Sequence, residues 1–201
     1  MTFEEALKSN QSVFEIDLGS DSLAALSAYY SLLVRWNARL HLVAPCSPEE
    51  FATRHVLESL MLLKHLPANA KIADIGSGAG LPIIPCLIAR PDLHATLIES
   101  SHKKSVFLRE ALNTVARNAT IVSRPFEEVP TPDVAFVTCR ALDQFIGKIS
   151  NIVRWAPPGS SLLLFGGETL REKLSKETQE YKIPLSERRF LFVTTGNKNK
   201  D

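Results

Sequence analysis

Cysteine is scarce in this chain. The 201 residues hold three, far apart at Cys46, Cys86 and Cys139. Their odd number and wide spacing exclude a disulfide framework and leave no Cys-x-x-Cys metal or redox pair. They read as small core residues, and no metal is expected. No apolar run approaches the ~18 residues of a membrane span. The longest, Leu81–Ala89, is interrupted by Pro82 and Pro85. The opening MTFEEALKSN is polar and acidic, unlike a secretory signal. The expected location is therefore the cytoplasm, and the sequons at Asn10 and Asn118 carry no meaning there. An excess of one charge is missing too: 23 Lys and Arg face 22 Asp and Glu, a net +1. Any nucleic-acid surface has to be a local patch.

What is present is an alternating pattern. Leu23, Leu26, Tyr30, Leu33, Trp36 or Asn37, and Leu40 recur at three- and four-residue steps, which predicts a helix over 20–40. Ser47-Pro-Glu-Glu50 starts a second helix, with Ser47 as cap, Pro48 in the first turn and Glu50 completing a capping box. It runs to about Lys64, before Pro67. Short apolar, often β-branched runs follow at 71–75, 95–99, 119–123, 133–138, 161–165 and 189–194. Helical stretches at 82–90, 102–116, 141–155 and 167–178 separate most of them. This alternation predicts an α/β fold, a mostly parallel sheet with helices on both faces. The short link from about Tyr181 to Phe190 predicts a final hairpin. The expected division is an N-terminal helical extension, 1–66, packed on a ligand-binding domain, 67–201.

Three of the nine glycines fall within five positions, in IADIGSGAGLP at 72–82. The stretch ends the first strand and opens a helix, where backbone N–H groups and the helix dipole favour an anionic ligand group. Leu81 stands where the dinucleotide fingerprint G-x-G-x-x-G needs its last glycine, and no G-K-[ST] phosphate loop is present. The spacing Asp74-x-Gly76-x-Gly78-x-Gly80 instead resembles the first motif of S-adenosylmethionine-dependent methyltransferases. Asp74 suits a positively charged group by charge-assisted hydrogen bonding. Ser77 and the glycine amides suit a carboxylate or ribose. Glu99, ending the second strand, suits two ribose hydroxyls. In SRPFEEVP (123–130), Phe126 could pack on a purine and Glu127 or Glu128 accept from its amino group; a surface turn with solvated acids is the other reading.

Taken together, RWNARLHL (35–42), RHVLESL (54–60), DIGSGAGLPIIP (74–85), LIESSHKKSVFLRE (97–110), SRPFEE (123–128), TCRAL (138–142) and ERRFLF (187–192) resemble the small-subunit ribosomal RNA methyltransferase G family, also called glucose-inhibited division protein B. The resemblance implies the class I methyltransferase fold, Rossmann-like, with seven strands, one of them antiparallel. It implies methyl transfer from S-adenosylmethionine to N7 of one guanosine in 16S rRNA, free or in an assembling subunit. It places cofactor contacts on Gly76, Leu81, Glu99, Phe126-Glu127 and Arg140. The chain departs from the family where His41-Leu42-Val43 replaces Asn-Leu-Thr, Glu58 replaces Asp, Ile83 replaces a small residue, and Phe165-Gly166-Gly167 replaces Leu-Lys-Gly.

Guanine N7 carries no proton, so the implied chemistry needs alignment more than a base. No catalytic residue is singled out; Arg140, Arg54 and Asn37 are positioning candidates. Arg140 could pair with the cofactor carboxylate, donate to guanine O6, or form a surface ion pair. His55 reads as a helix-face histidine and Trp36 as core. Candidates for RNA phosphates are Arg35, Arg39, Lys103, Lys104, Arg109, Arg117 and Arg124, and their binding should weaken with salt. A monomer is expected. The competing readings are a methyltransferase of another nucleobase or of a small molecule, or a cofactor-binding module whose activity Gly166 has impaired.

Overall fold

The computed structural model describes residues 1–140 and 146–196. Residues 141–145, the start of the helix predicted over 141–155, and the tail 197–201 lie outside the described residues.

Seven strands form one sheet: β1 Lys71–Ile75, β2 His94–Ile98, β3 Thr120–Val122, β4 Phe136–Cys139, β5 Ser161–Gly166, β6 Gln179–Lys182 and β7 Phe190–Thr195. Their order is β3-β2-β1-β4-β5-β7-β6. β1 to β5 are parallel, and β7 runs antiparallel to both neighbours. The alternation read from the sequence is the class I methyltransferase architecture. β6 and β7 make the expected hairpin. No apolar run marks β6, because all four of its residues are exposed and it closes the sheet as a polar edge.

The helices are α1 Phe3–Asn10, α2 Ser20–Leu40, α3 (residues 48–65), α4 Ile83–Ala89, α5 His102–Thr114, α6 Ile149–Trp155 and α7 Glu168–Arg171. α1 was not anticipated, although Thr2 and Glu5 form a full capping box ahead of it. Phe3 stacks on Tyr30 at 4.4 Å between centroids and locks α1 onto α2. The helix expected over 167–178 is only the single turn of α7. One buried cluster unites α1, α2 and α3 with α4, α5 and one sheet face. A second, around Phe126, Ile152 and Leu164, fills the other face.

α3 is not a uniform helix. It is α over Pro48–Glu50, π over Phe51–Leu57, α over Glu58–Leu60 and 3-10 over Met61–His65. Ser47 caps it, accepting from the Glu50 N–H at 3.0 Å. The reciprocal half of the predicted capping box is not made; the Glu50 carboxylate pairs with Arg54, one turn on, at 2.8 Å. Leu66 is extended, as the residue before a proline prefers.

α2 ends at His41, which takes the left-handed conformation at φ +47 and donates its N–H to the Asn37 carbonyl. Asparagine is more at home there, since its short polar side chain relieves part of the left-handed strain. His41→Asn is expected to stabilise the fold by about 0.5 kcal/mol, a rise in Tm of about 1–2 °C. A thermal melt reads this, and a lower Tm contradicts it.

Candidate active site

At the C-terminal ends of β1 and β2 the chain turns through Gly76, Gly78 and Gly80, with φ of +70, +51 and +82. These values explain the glycines, since a Cβ is strained in the left-handed region. Backbone bonds fix the turn: the Gly76 and Ser77 N–H groups donate to the Ile98 carbonyl at 2.8 and 3.2 Å, and Gly80 N–H donates to the Ser77 carbonyl at 2.6 Å. A side chain fifty positions upstream adds to them. The buried Tyr29 hydroxyl on α2 donates to the Ala79 carbonyl at 2.6 Å. The helical spacing read from the sequence runs through Tyr30 and passes over Tyr29, whereas in the structure Tyr29 is the fully buried one and Tyr30 is half-buried.

Glu99 sits opposite, 6% exposed. Its two carboxylate oxygens accept from Gly78 N–H and Ser101 N–H, each at 2.8 Å. Ser101 caps α5, so Glu99 also lies at a helix N-terminus, where a negative charge is favoured. Together with Leu81, Lys104, Arg140, His55 and the loop His41–Pro45, these residues enclose a cleft of about 570 Å³. Asn37 shapes the loop. Its amide donates to the Val43 carbonyl at 3.1 Å and accepts from Val43 N–H at 3.0 Å. Asn37 thus positions a wall of the cleft from behind it. A larger groove of about 720 Å³, between α6 and the end of β7, brings together none of the predicted residues.

Asp74 does not reach the cleft. It is fully buried beneath the glycine turn, facing Thr138, its register partner on β4. The Thr138 hydroxyl donates to its Oδ1 at 2.7 Å, and Oδ2 has no partner. Burial pushes its pKa up to about 7, against the lowering effect of the Thr138 bond. The folded chain therefore holds this proton more tightly than the unfolded chain does. Its contribution favours folding at low pH and is lost as pH rises from about 4 through 7. Asp74→Asn cannot ionise. Relative to the parent, it is expected to gain about 2–4 kcal/mol of stability between pH 4 and pH 8. Denaturant unfolding across that range measures the difference; a gap that stays constant with pH contradicts it.

Arg140 lines the cleft, but its terminal nitrogens are turned into α3. Nη1 donates to the His55 carbonyl at 3.1 Å and to the Ser59 hydroxyl at 3.0 Å; Nη2 donates to the Arg54 carbonyl at 2.6 Å and meets His55 Nδ1 at 3.1 Å. A side chain inserted among helix carbonyls is a recognised cause of a widened turn, and the π stretch lies here. The terminal nitrogens read from the sequence as partners for the cofactor carboxylate, for guanine O6 or for an ion pair are thus engaged by α3 and Glu58. Glu58, 2% exposed, completes the cluster by pairing with Arg140 at 3.5 Å and with Arg189 from the turn before β7. Burial raises the Glu58 pKa, opposed by the two arginines. Arg54 offers only its carbonyl; its side chain is half exposed and paired with Glu50.

Two other predicted residues are turned away from the cleft. Phe126 is 5% exposed in the second core cluster, edge-on to Trp155 at 6.0 Å, so its ring does not face the cleft. Glu127 pairs with Lys148 at 2.7 Å, outside the cleft. Of the basic candidates, Lys104 lines the cleft. Arg35, Arg39, Lys103, Arg109 and Arg124 are exposed. Arg117 instead binds the Leu87 and Ile88 carbonyls at the end of α4, at 2.9 and 3.2 Å. Trp36 packs edge-on against Phe107 at 5.9 Å, as core. A Cβ on Gly166 would lie 2.6 Å from Leu170 Cδ2, so the missing family lysine is matched by a leucine packed over this glycine. Among the described residues no group of acids, histidines and cysteines could hold a metal ion, and no helix is long and apolar enough to cross a membrane.

A family model described as rRNA small subunit methyltransferase G matches residues 22–200. Ribosomal RNA small subunit methyltransferase G of Xanthomonas campestris pv. campestris (strain B100) is 41% identical over 160 residues, which cover 79% of this chain and 75% of that protein. The protein of the same name from Halorhodospira halophila is 34% identical over 171 residues, covering 85% and 81%. Among solved structures, a methyltransferase from Pyrococcus furiosus shares the fold with a TM-score of 0.57, at 12% identity over 86% of this chain and 98% of that one. The chain belongs to the rRNA small subunit methyltransferase G family.

Proposed function

We propose that the cleft binds S-adenosylmethionine and that the protein transfers its methyl group to N7 of a specific guanosine in 16S small-subunit rRNA. The observation that carries the reading is the convergence of Gly76, Ser77, Gly78, Leu81 and Glu99 on one cleft, in a chain of this family. The donor set fits the cofactor. The cleft volume is that of a small-molecule site. Each Glu99 oxygen, already holding one N–H, keeps a lone pair for a ribose hydroxyl. The positive φ at Gly78, with no atom nearer than 3.6 Å to a would-be Cβ, lets a ligand approach the bare backbone.

When bound, S-adenosylmethionine supplies an electrophilic methyl group on a sulfonium. The chain's own task is placement. Guanine N7 presents a lone pair without a proton, so no side chain has to act as a base. Glu99 and the Gly76–Gly80 turn, braced by Tyr29, hold the donor side. Asp74 lies beneath the turn, bonded to Thr138, and supports it from behind. The Asn37-clipped loop and His55 bound the acceptor side and exclude water. Alignment of this kind supplies several orders of magnitude in rate.

Residues 1–66 serve as a helical extension that completes the cleft of the 67–201 methyltransferase domain. Arg35, Arg39, Lys103, Lys104 and Arg124 meet RNA phosphates, and the protein works as a monomer in the cytoplasm. The target base has to be unpaired or extruded to reach the cleft. Deleting the gene and quantifying 7-methylguanosine across small-subunit rRNA by mass spectrometry tests the function. Loss at one site, restored by the gene, is expected. Unchanged methylation at every site rejects the reading.

A further inference from the structure

Donation to the acceptor base was one of the roles open to Arg140, but its terminal nitrogens are committed to α3. Another donor stands beside it. His55 lines the same cleft as the glycine turn and Glu99. Its Nδ1 lies 3.1 Å from Arg140 Nη2. A guanidinium only donates, so Nδ1 accepts and carries no proton. The ring proton of the neutral imidazole is then on Nε2. The Arg54 and His55 carbonyls and Ser59 hold Arg140 in place, and the ring of Phe51 packs on the imidazole at 5.1 Å. Tautomer and orientation are fixed together.

Nε2 has no hydrogen-bond partner among the described residues. It is also absent from their fully buried unpartnered polar atoms, which are Ser27 Oγ and Asp74 Oδ2, so it keeps solvent access, on a residue that lines the cleft. The ring stays neutral at working pH. Burial, then the charges of Arg140, Arg54 and Arg189, bring its pKa down to about 3; Glu58 is the acid in the same cluster and pairs with two of those arginines. The wall facing the acceptor thus carries a rigid N–H donor that does not switch to a cation.

We propose that His55 Nε2–H donates to O6 of the acceptor guanine and so selects guanine over adenine. This rests on the reading of a guanosine as methyl acceptor. Beside N7, guanine presents the O6 acceptor, whereas adenine presents an amino donor. A fixed donor rewards the first and clashes electrostatically with the second. A base lacking the acceptor altogether leaves the donor unpaired, which is also penalised.

The test uses the full chain and an rRNA substrate carrying, at the methylated position, either guanosine or 2-aminopurine riboside, which keeps N7 and lacks O6. The ratio of kcat/KM for the two is the readout. His55→Asn places an amide oxygen where Nδ1 stood, keeping the Arg140 contact while removing the cleft donor. His55→Gln places an amide N–H near Nε2 and gives up the Arg140 contact. The ratio is expected to fall about tenfold in His55→Asn and to be retained in His55→Gln. An unchanged ratio in His55→Asn, or an equal fall in both variants, overturns the proposal. Unsubstituted protein that methylates no guanosine overturns the function itself; protein that methylates guanosine without preferring it to 2-aminopurine overturns this inference alone.

Discussion

Glu58→Ala is expected to destabilise the protein by about 3–5 kcal/mol, the cost of breaking a buried ion pair from one side. Glu58 is 2% exposed and is the shared partner of Arg140 and Arg189. Removing it leaves the mostly buried Arg140 guanidinium with only carbonyl, hydroxyl and imidazole partners, and the half-buried Arg189 with only the Ser186 hydroxyl. Burial already disfavours the charge on Arg189, and Glu58 is the main group offsetting that. Such a loss is a large part of the roughly 5–15 kcal/mol that holds a domain together. It would also free Arg140, and with it the π stretch that presents His55. Denaturant unfolding measures the first effect. A loss below about 1 kcal/mol would show that the cluster is solvated and that Glu58 does not hold it.

Gly80→Ala is the second large effect, expected to cost about 2–4 kcal/mol, from left-handed strain plus overpacking. Gly80 sits at φ +82, and a Cβ there would lie 2.3 Å from Ile84 Cδ1 and 2.7 Å from its Cγ1. Ile84 is fully buried at the start of α4, so relieving the clash means repacking core. Gly78→Ala carries only the backbone strain, because its Cβ would meet nothing nearer than 3.6 Å. It should cost about 1 kcal/mol. The two costs are separable. In a double-mutant cycle with Ile84→Ala, Gly80→Ala is expected to recover about 1–3 kcal/mol, since the clash is gone and the strain remains. Simple additivity would contradict the clash. S-Adenosylmethionine affinity, measured by titration, should fall more than tenfold in Gly80→Ala, because the turn that lines the cleft is displaced.

The fold was legible where burial writes a continuous apolar run. β1, β2, β4 and β5 are covered on both faces and read as such. β6 was silent, because an exposed edge strand needs no apolar side chains. The glycine turn was legible because glycine takes its three positive φ values without strain, and Glu99 because its place at the end of β2 is fixed by the fold. Phe126, Glu127 and Arg140 were misplaced for one shared reason. A sequence shows that a residue lies near the site, and it does not show which way the side chain turns. Phe126 turned into the core, and Arg140 turned to the freed carbonyls of a π stretch that no local pattern announces. Tyr29 and the Glu58–Arg189 pair were missed because their partners lie fifty and more than a hundred positions away. Contacts of that kind exist only after folding.

The most direct measurement incubates the purified protein with small ribosomal subunits lacking the modification and with isotopically labelled S-adenosylmethionine. The rRNA is then digested and the label located by mass spectrometry. Label in 7-methylguanosine at a single position, lost when Glu99 is replaced by Ala, is the expected result. Label in any other nucleoside, or none from a protein that binds the cofactor, would contradict guanine-N7 methyl transfer as the function of this cleft.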